Sequence, residues 1–285
     1  MVGIEACPAV RAWATTVAVL AWMAAAESSA WGQASEAIPP ASSAEARPAS
    51  DVAERPTPPL PAPEGAQRLP EPDQVWIDRD NQSVLVDGYV SLRRGYLEMF
   101  ACLEGTKEHE SVVAVQSRAA TVHAALLAVG AVQGRPVQYR PEFAPPTGSV
   151  IAVEVRWLDD QGQWQSARAQ DWVQDVRTKE PMSQSWVFAG SGFWTDEATG
   201  NQFYMAEQGD FICVSNFTSA TLDVPIESSQ ANDGLLFEAR TAAIPDLGTR
   251  VRLVLTPQLE ATEQGEASAA ATTTDDESAT EAGNE

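Results

Sequence analysis

From residue 74 to residue 257 the apolar residues come in short runs of about four to ten, each closed by Gly, Asn, Asp, Pro or Ser. That spacing is the signature of strands and turns and leaves little room for long helices. The runs fall at 75–78, 83–92, 96–103, 111–116, 137–140, 150–158, 164–169, 186–194, 202–206, 211–215, 235–239 and 250–255. Turn residues stand where hairpins need them, at Asp80-Asn81, Asp159-Asp160-Gln161-Gly162, Thr199-Gly200-Asn201 and Gln208-Gly209-Asp210. One segment breaks the pattern. Ser117 is a candidate N-cap, Ala119 to Val129 are good helix formers with Val122, Leu126 and Val129 on one stripe, and Gly130 supplies a stop. Ala120, Ala124 and Leu127 extend the apolar surface around this helix, which predicts that it is buried. The sequence shows no internal repeat, so a propeller or solenoid is not expected. The expected fold is α+β: a β-rich, largely antiparallel single domain over 74–257, with one buried helix at about 118–130.

The flanks have a different character. Residues 1–34 read as a secretory signal peptide, with Arg11 before an apolar run from Ala12 to Ala26 and small residues at Gly32 and Ala34. The run is short and Ala-rich for a membrane span, so no span is expected after cleavage. Residues 35–73 are dominated by Pro, Ala, Ser and Glu and read as a disordered linker, which in polyproline II could reach on the order of 100 Å. Residues 258–285 read as a disordered acidic tail. This organisation implies an exported protein of the bacterial periplasm or cell envelope.

Charge then excludes one class of partner. The chain has 18 Lys and Arg against 40 Asp and Glu, a formal net charge of −22. Nucleic acid is bound by clusters of Lys and Arg that this chain does not have. About half the excess belongs to the flanks, since residues 71–257 carry about 14 bases and 25 acids.

Two linked motifs are distinctive: Gly105-Thr-Lys-Glu-His-Glu-Ser111, and the His-bearing helix from Val122 to Ala131. With Arg168-Ala-Gln-Asp-Trp-Val173, Trp186-Val-Phe-Ala-Gly-Ser-Gly-Phe193 and Gly209-Asp-Phe-Ile-Cys-Val-Ser-Asn216, the chain resembles the YdjY-domain family of bacterial exported proteins. The resemblance spans the whole expected domain and implies no established activity. A ferredoxin-like label attached to some members does not suit this sequence. An iron–sulfur cluster needs about four cysteines, and only Cys102 and Cys213 follow the signal segment. No cofactor is expected.

The remaining candidates each carry two readings. Cys102 and Cys213 lie in apolar runs and are a disulfide, two packed thiols or a functional thiol. His109 and His123, the only histidines, could act with Lys107 and with Glu108 or Glu110 as acid, base or metal-ligand groups. Their wide spacing argues instead for structural roles. Gly190-Ser191-Gly192 lacks the Gly-x-Ser-x-Gly spacing of a nucleophile elbow. Asn216, Asp223 and Glu227 lie in a polar stretch suited to a binding loop, and Trp164, flanked by glutamines, is the tryptophan best placed to face a ligand or partner. The function expected is a non-catalytic domain that binds an envelope protein or small ligand. The alternative is a metal-assisted or acid/base enzyme using Lys107, His109, Glu110 and His123. Intact-mass measurement of protein recovered from cells tests the export signal: the expected mature chain begins at Ser35, or at Trp31 from the second site after Ala30, and an uncleaved chain contradicts it.

Overall fold

The computed structural model describes residues 59–228 and 234–258; the expected signal peptide, residues 35–58 of the expected linker and the expected tail from residue 259 lie outside the described residues. In chain order the strands are β1 (Gln67–Arg68), β2 (Val75–Asp78), β3 (Ser83–Val90), β4 (Met99–Leu103) and β5 (Ser111–Val115), followed by the helix α1 (Ala119–Ala128). Then come β6 (Val150–Leu158), β7 (Trp164–Arg168), β8 (Val173–Asp175), β9 (Trp186–Val187), β10 (Phe193–Thr195), β11 (Gln202–Tyr204), β12 (Ile212–Cys213), β13 (Phe237–Ala239) and β14 (Arg250–Pro257). The main sheet runs β12-β4-β5-β3-β14-β6-β7, with the β1–β2 ribbon added beside β3 and β9 beside β6. Among the described residues every strand pair is antiparallel except β4–β5. Two small ribbons, β10–β11 and β8–β13, complete the β-rich α+β fold. Among the described residues no helix is long and apolar enough to cross a membrane.

Alternation along the central strands sets the two faces of the sheet. In β6, Ile151, Val153 and Val155 are buried while Ala152 and Arg156 face out; in β14, Val251, Leu253 and Leu255 point the same way as the β6 trio. These residues form the main core with one side of α1, through Val122, Ala125 and Leu126, and with Trp172, Trp186, Phe188 and Phe211. Burying such aromatics contributes roughly 1.5–3 kcal/mol each before entropy is charged against them.

The opposite face is mixed. Trp76, Leu85 and Val254 make a small apolar cluster, and beside it Asp87 and Arg252 form a buried bidentate pair at 2.6 and 2.9 Å. Arg252 also donates to the Pro61 carbonyl (2.9 Å) and lies over the Trp76 ring, its guanidinium 5.0 Å from the centroid. The segment around Pro61 therefore straps this face.

Here the fold departs from expectation, because residues 59–73 belong to it. β1 pairs with β2, and Asp73 holds the start of α1. Ser117 does not cap the helix; its hydroxyl turns to the Arg118 carbonyl. The Asp73 carboxylate instead accepts from the Arg118 amide (2.9 Å), the Arg118 guanidinium (2.7 Å) and the Thr121 hydroxyl (2.6 Å), and Glu207 accepts from the Ala120 amide (2.9 Å). Two carboxylates thus meet the positive end of the helix and its unpaired N–H groups. Gly130, with φ +92°, ends it as expected. The helix is buried on one side only: Ala120, Ala124, Leu127 and Ala128 face outward, Leu127 at 47% exposure. The expected strand at 137–140 is reduced to a single bridge between Gln138 and Ala144, and the expected strand at 186–194 breaks after Val187.

Burial pushes the Asp87 carboxyl up even against the pull of Arg252, so neither member of the pair tolerates loss of the other. Arg252→Met is expected to cost about 3–5 kcal/mol in urea denaturation. The Asp87→Leu/Arg252→Met double variant is expected to recover most of that loss, because no lone buried charge is left.

Candidate functional site

The Gly105–Ser111 motif is the connection between β4 and β5. Parallel neighbours normally need a dozen or more residues for the return, usually a helix; here it is made between Leu103 and Ser111. Hydrogen bonds from motif side chains make it feasible. The Glu108 carboxylate accepts from the Gly105 amide (2.7 Å) and from the Tyr89 hydroxyl on β3 (2.9 Å). Thr106 donates to the Leu103 carbonyl (2.6 Å), Ser111 to the Lys107 carbonyl (2.7 Å), and Ser91 to the Ser111 carbonyl (2.7 Å). Glu108, His109 and Glu110 form a single 3-10 turn.

A second motif closes over this loop. Lys107 Nζ lies 2.8 Å from Asp210 Oδ1 and 3.9 Å from Glu110 Oε1, and 4.6 Å from the centroid of the Phe217 ring. Burial alone would depress the Lys107 ammonium, but Asp210 and Glu110 outweigh it and hold its pKa above the ordinary value. Ser219 donates to the other Asp210 oxygen. Gly209 brings Asp210 into place at φ +113°, where a β-carbon would stand 2.6 Å from Thr106 Oγ1. Glu98 joins the cluster, its carboxyl pushed up by burial and then by Glu110. Lys107 and Glu110 are therefore brought together in one cluster. Glu98 and Asp210, which sequence reasoning missed, complete the group. Asp210 was visible only as part of a motif, since its partner lies in another strand connection.

The two histidines are not brought together. His109 has 78% of its side chain exposed and lies 3.8 Å from Glu110. His123 is half-buried on α1, with Nδ1 2.8 Å from the Tyr204 hydroxyl and its ring packed edge-on against Phe188 and Tyr204. Burial lowers its pKa, offset in part by bonds to Gln133 and Gly190. Tyr204 donates to the Gly190 carbonyl (3.1 Å). Gly190 itself has φ +83°, and a β-carbon there would meet the Gln133 side chain at 2.2 Å. Among the described residues no group of three or more His, Cys, Asp or Glu is placed to hold a metal ion.

Cys102 and Cys213 are buried free thiols. They lie in separate clusters, Cys102 with Tyr89 and Ala114, Cys213 with Met99, Phe217 and Ala220. Of the readings open to them, this arrangement is that of packed thiols, and burial pushes both pKa values up.

Three surfaces remain. Beside the outward side of α1, His123 packs on the buried Tyr204, whose ring is 5.3 Å from that of the exposed Phe193, and the exposed Trp194 and Phe203 pair with each other. Trp164, 48% exposed, stands at a cleft of about 650 Å³ on the strapped face. Of the expected binding-loop residues Asn216, Asp223 and Glu227, only Glu227 is exposed. Asn216 and Asp223 are internal ties: Asn216 Nδ2 donates to Asp223 Oδ1 (3.2 Å) and to the Val224 carbonyl (2.8 Å), while its Oδ1 accepts from the Ser228 amide (2.9 Å).

Asp223 is fully buried, and among the described residues Oδ2 has no hydrogen-bond partner. Burial raises its pKa to about 8, against bonds from Val224 and Asn216 that lower it. The folded state therefore keeps a proton that the unfolded chain releases near its ordinary value of 3.8. The resulting stabilisation is full below pH 4, is lost steadily as pH rises to about 8, and then levels off. Asp223→Asn is expected to flatten that slope, so that its melting temperature gains on the parent chain between pH 5 and pH 9. Parallel profiles for the two proteins would contradict this assignment.

Comparison with curated proteins and with solved structures gave no match. The family model of the YdjY domain matches residues 75–256, a span that begins at β2 and ends within β14. The crossover, the helix and the Gly209–Asn216 segment all lie inside it, and this chain belongs to the YdjY-domain family.

Proposed function

We propose that this chain is an exported binding module of the bacterial cell envelope, carried on its Pro/Ala-rich segment and engaging a partner protein without catalysing a reaction. The observation that carries the reading is the apolar surface built from α1 and the β10–β11 ribbon. A helix whose outward residues are Ala120, Ala124, Leu127 and Ala128 has no polar face to give to water. Next to it, Phe193 and Trp194 are 64% and 56% exposed. Exposed apolar residues gathered in this way mark interaction sites. Export is supported by the character of residues 1–34, and the excess of acids disfavours nucleic acid as the partner.

The side chains of the Gly105–Ser111 motif support the same reading, because Thr106, Lys107, Glu108 and Ser111 are each engaged within the fold. One observation favours the rival reading of an acid/base enzyme: the raised carboxyl of Glu98 stands beside Glu110 and Lys107. His109 and His123, which that enzyme would also use, have different surroundings and share no partner.

A photo-crosslinking residue placed at Leu127 or at Phe203 in cells is expected to trap the same envelope protein, whereas one at exposed Arg177 traps none. Adducts at neither Leu127 nor Phe203, or the same adducts from all three positions, would contradict the proposal.

A further inference from the structure

We propose that the cleft beside Trp164 is a binding site for a neutral oligosaccharide. It lies on the outward face of the main sheet, away from the core, and its floor is set by strand register. Asp87, Arg252, Arg156 and Ser166 follow one another across β3, β14, β6 and β7, and Leu85, Val254 and Glu154 form the next row. Trp164 opens β7, and the Pro61–Glu64 strap forms the opposite part of the wall. The volume of about 650 Å³ falls within the roughly 300–1,000 Å³ usual for small-ligand sites.

The chemistry of the walls selects the ligand class. Each arginine here is matched by a carboxylate: Arg252 by Asp87 at 2.6 Å, Arg156 by Glu154 at 2.6 Å. The Asp78 carboxylate is engaged by both the amide and the side chain of Asn81. The cleft therefore offers no unmatched cation for a phosphate or sulfate. Arg156 spends only its Nε on Glu154, so its outer N–H groups, the second Glu154 oxygen and the Ser166 hydroxyl take no hydrogen bond among the described residues. A donor and an acceptor side by side at zero net charge complement a hydroxyl, which is both at once. The half-exposed Trp164 indole adds a flat apolar plate that suits the C–H face of a pyranose ring. An apolar ligand would leave the polar floor unpaired, at a cost for each buried group.

This site is on a different face from the α1–ribbon surface, so either can fail without the other. Cellohexaose, hexa-N-acetylchitohexaose, maltohexaose and the polyanion hexagalacturonate can each be titrated calorimetrically into the full chain. At least one of the three neutral hexasaccharides is expected to bind one-to-one and more tightly than hexagalacturonate. Trp164→Ala is expected to weaken that binding at least tenfold, Arg156→Met at least fivefold, and Trp194→Ala not at all. Trp164→Phe, which keeps an aromatic plate, is expected to restore most of it. All three substituted sites are open to solvent, and thermal melting identifies any variant that fails to fold. Binding of none of the neutral hexasaccharides, stronger binding of hexagalacturonate, or binding unaffected by Trp164→Ala would each overturn the proposal.

Discussion

The parallel pairing of β4 and β5 is the constraint on which the rest of the domain depends. All other strand pairs are antiparallel, and a chain that must return in the same direction has to recross the sheet within residues 104–110. Such a crossover has too few residues for a helix, so it has to be held by side chains. Glu108 does so from inside the loop, through the Gly105 amide, and from outside it, through Tyr89 on β3. Once β4 is fixed, β12 can add at the sheet edge, and the 220–223 segment can bond to the chain beyond it. Lys107 then finds Asp210, and the loop is locked from the far side of the sequence.

The two faces of the sheet have separate physical characters. The inner face is a continuous core of aliphatic and aromatic side chains. The outer face carries matched charges, two tryptophans and a strap drawn from the Pro-rich approach to the domain. A buried Asp–Arg pair is weak evidence for stability, since its desolvation offsets much of its attraction. What this pair does is orient: Arg252 holds Asp87, reaches the Pro61 carbonyl and covers Trp76, and so decides where the strap lies. The helix contributes a third surface, since only one of its sides meets the sheet.

How much of this could be read in advance depended on how local the signal was. Alternation in Val150–Leu158 gave the bounds of β6, and the Ala/Leu run with Gly130 gave α1 to within a residue or two. A helix that is apolar on all sides, however, does not say which side is covered, and Ala120, Ala124 and Leu127 were expected inside. Asp73 looked like linker because its neighbours are prolines; its role as a cap depends on a helix 45 residues later. Lys107, Glu110 and His123 drew attention as reactive residue types, but Asp210, the partner that defines Lys107, is 103 positions away. Asn216 and Asp223 were expected in a binding loop because they are polar; the structure uses both to tie that loop together from within. Periodicity and turn chemistry are local and legible, whereas the identity of a distant hydrogen-bond partner is not.

The central claim is that the most distinctive motif of the chain is a structural clasp. Urea denaturation of Glu108→Ala beside His109→Ala tests it most directly. Glu108→Ala removes the acceptor shared by the Gly105 amide and the Tyr89 hydroxyl and is predicted to cost about 1–3 kcal/mol. His109→Ala, at an exposed position, is predicted to change stability by less than about 0.5 kcal/mol. An unchanged Glu108→Ala protein, or a His109→Ala protein destabilised as much, would contradict the account.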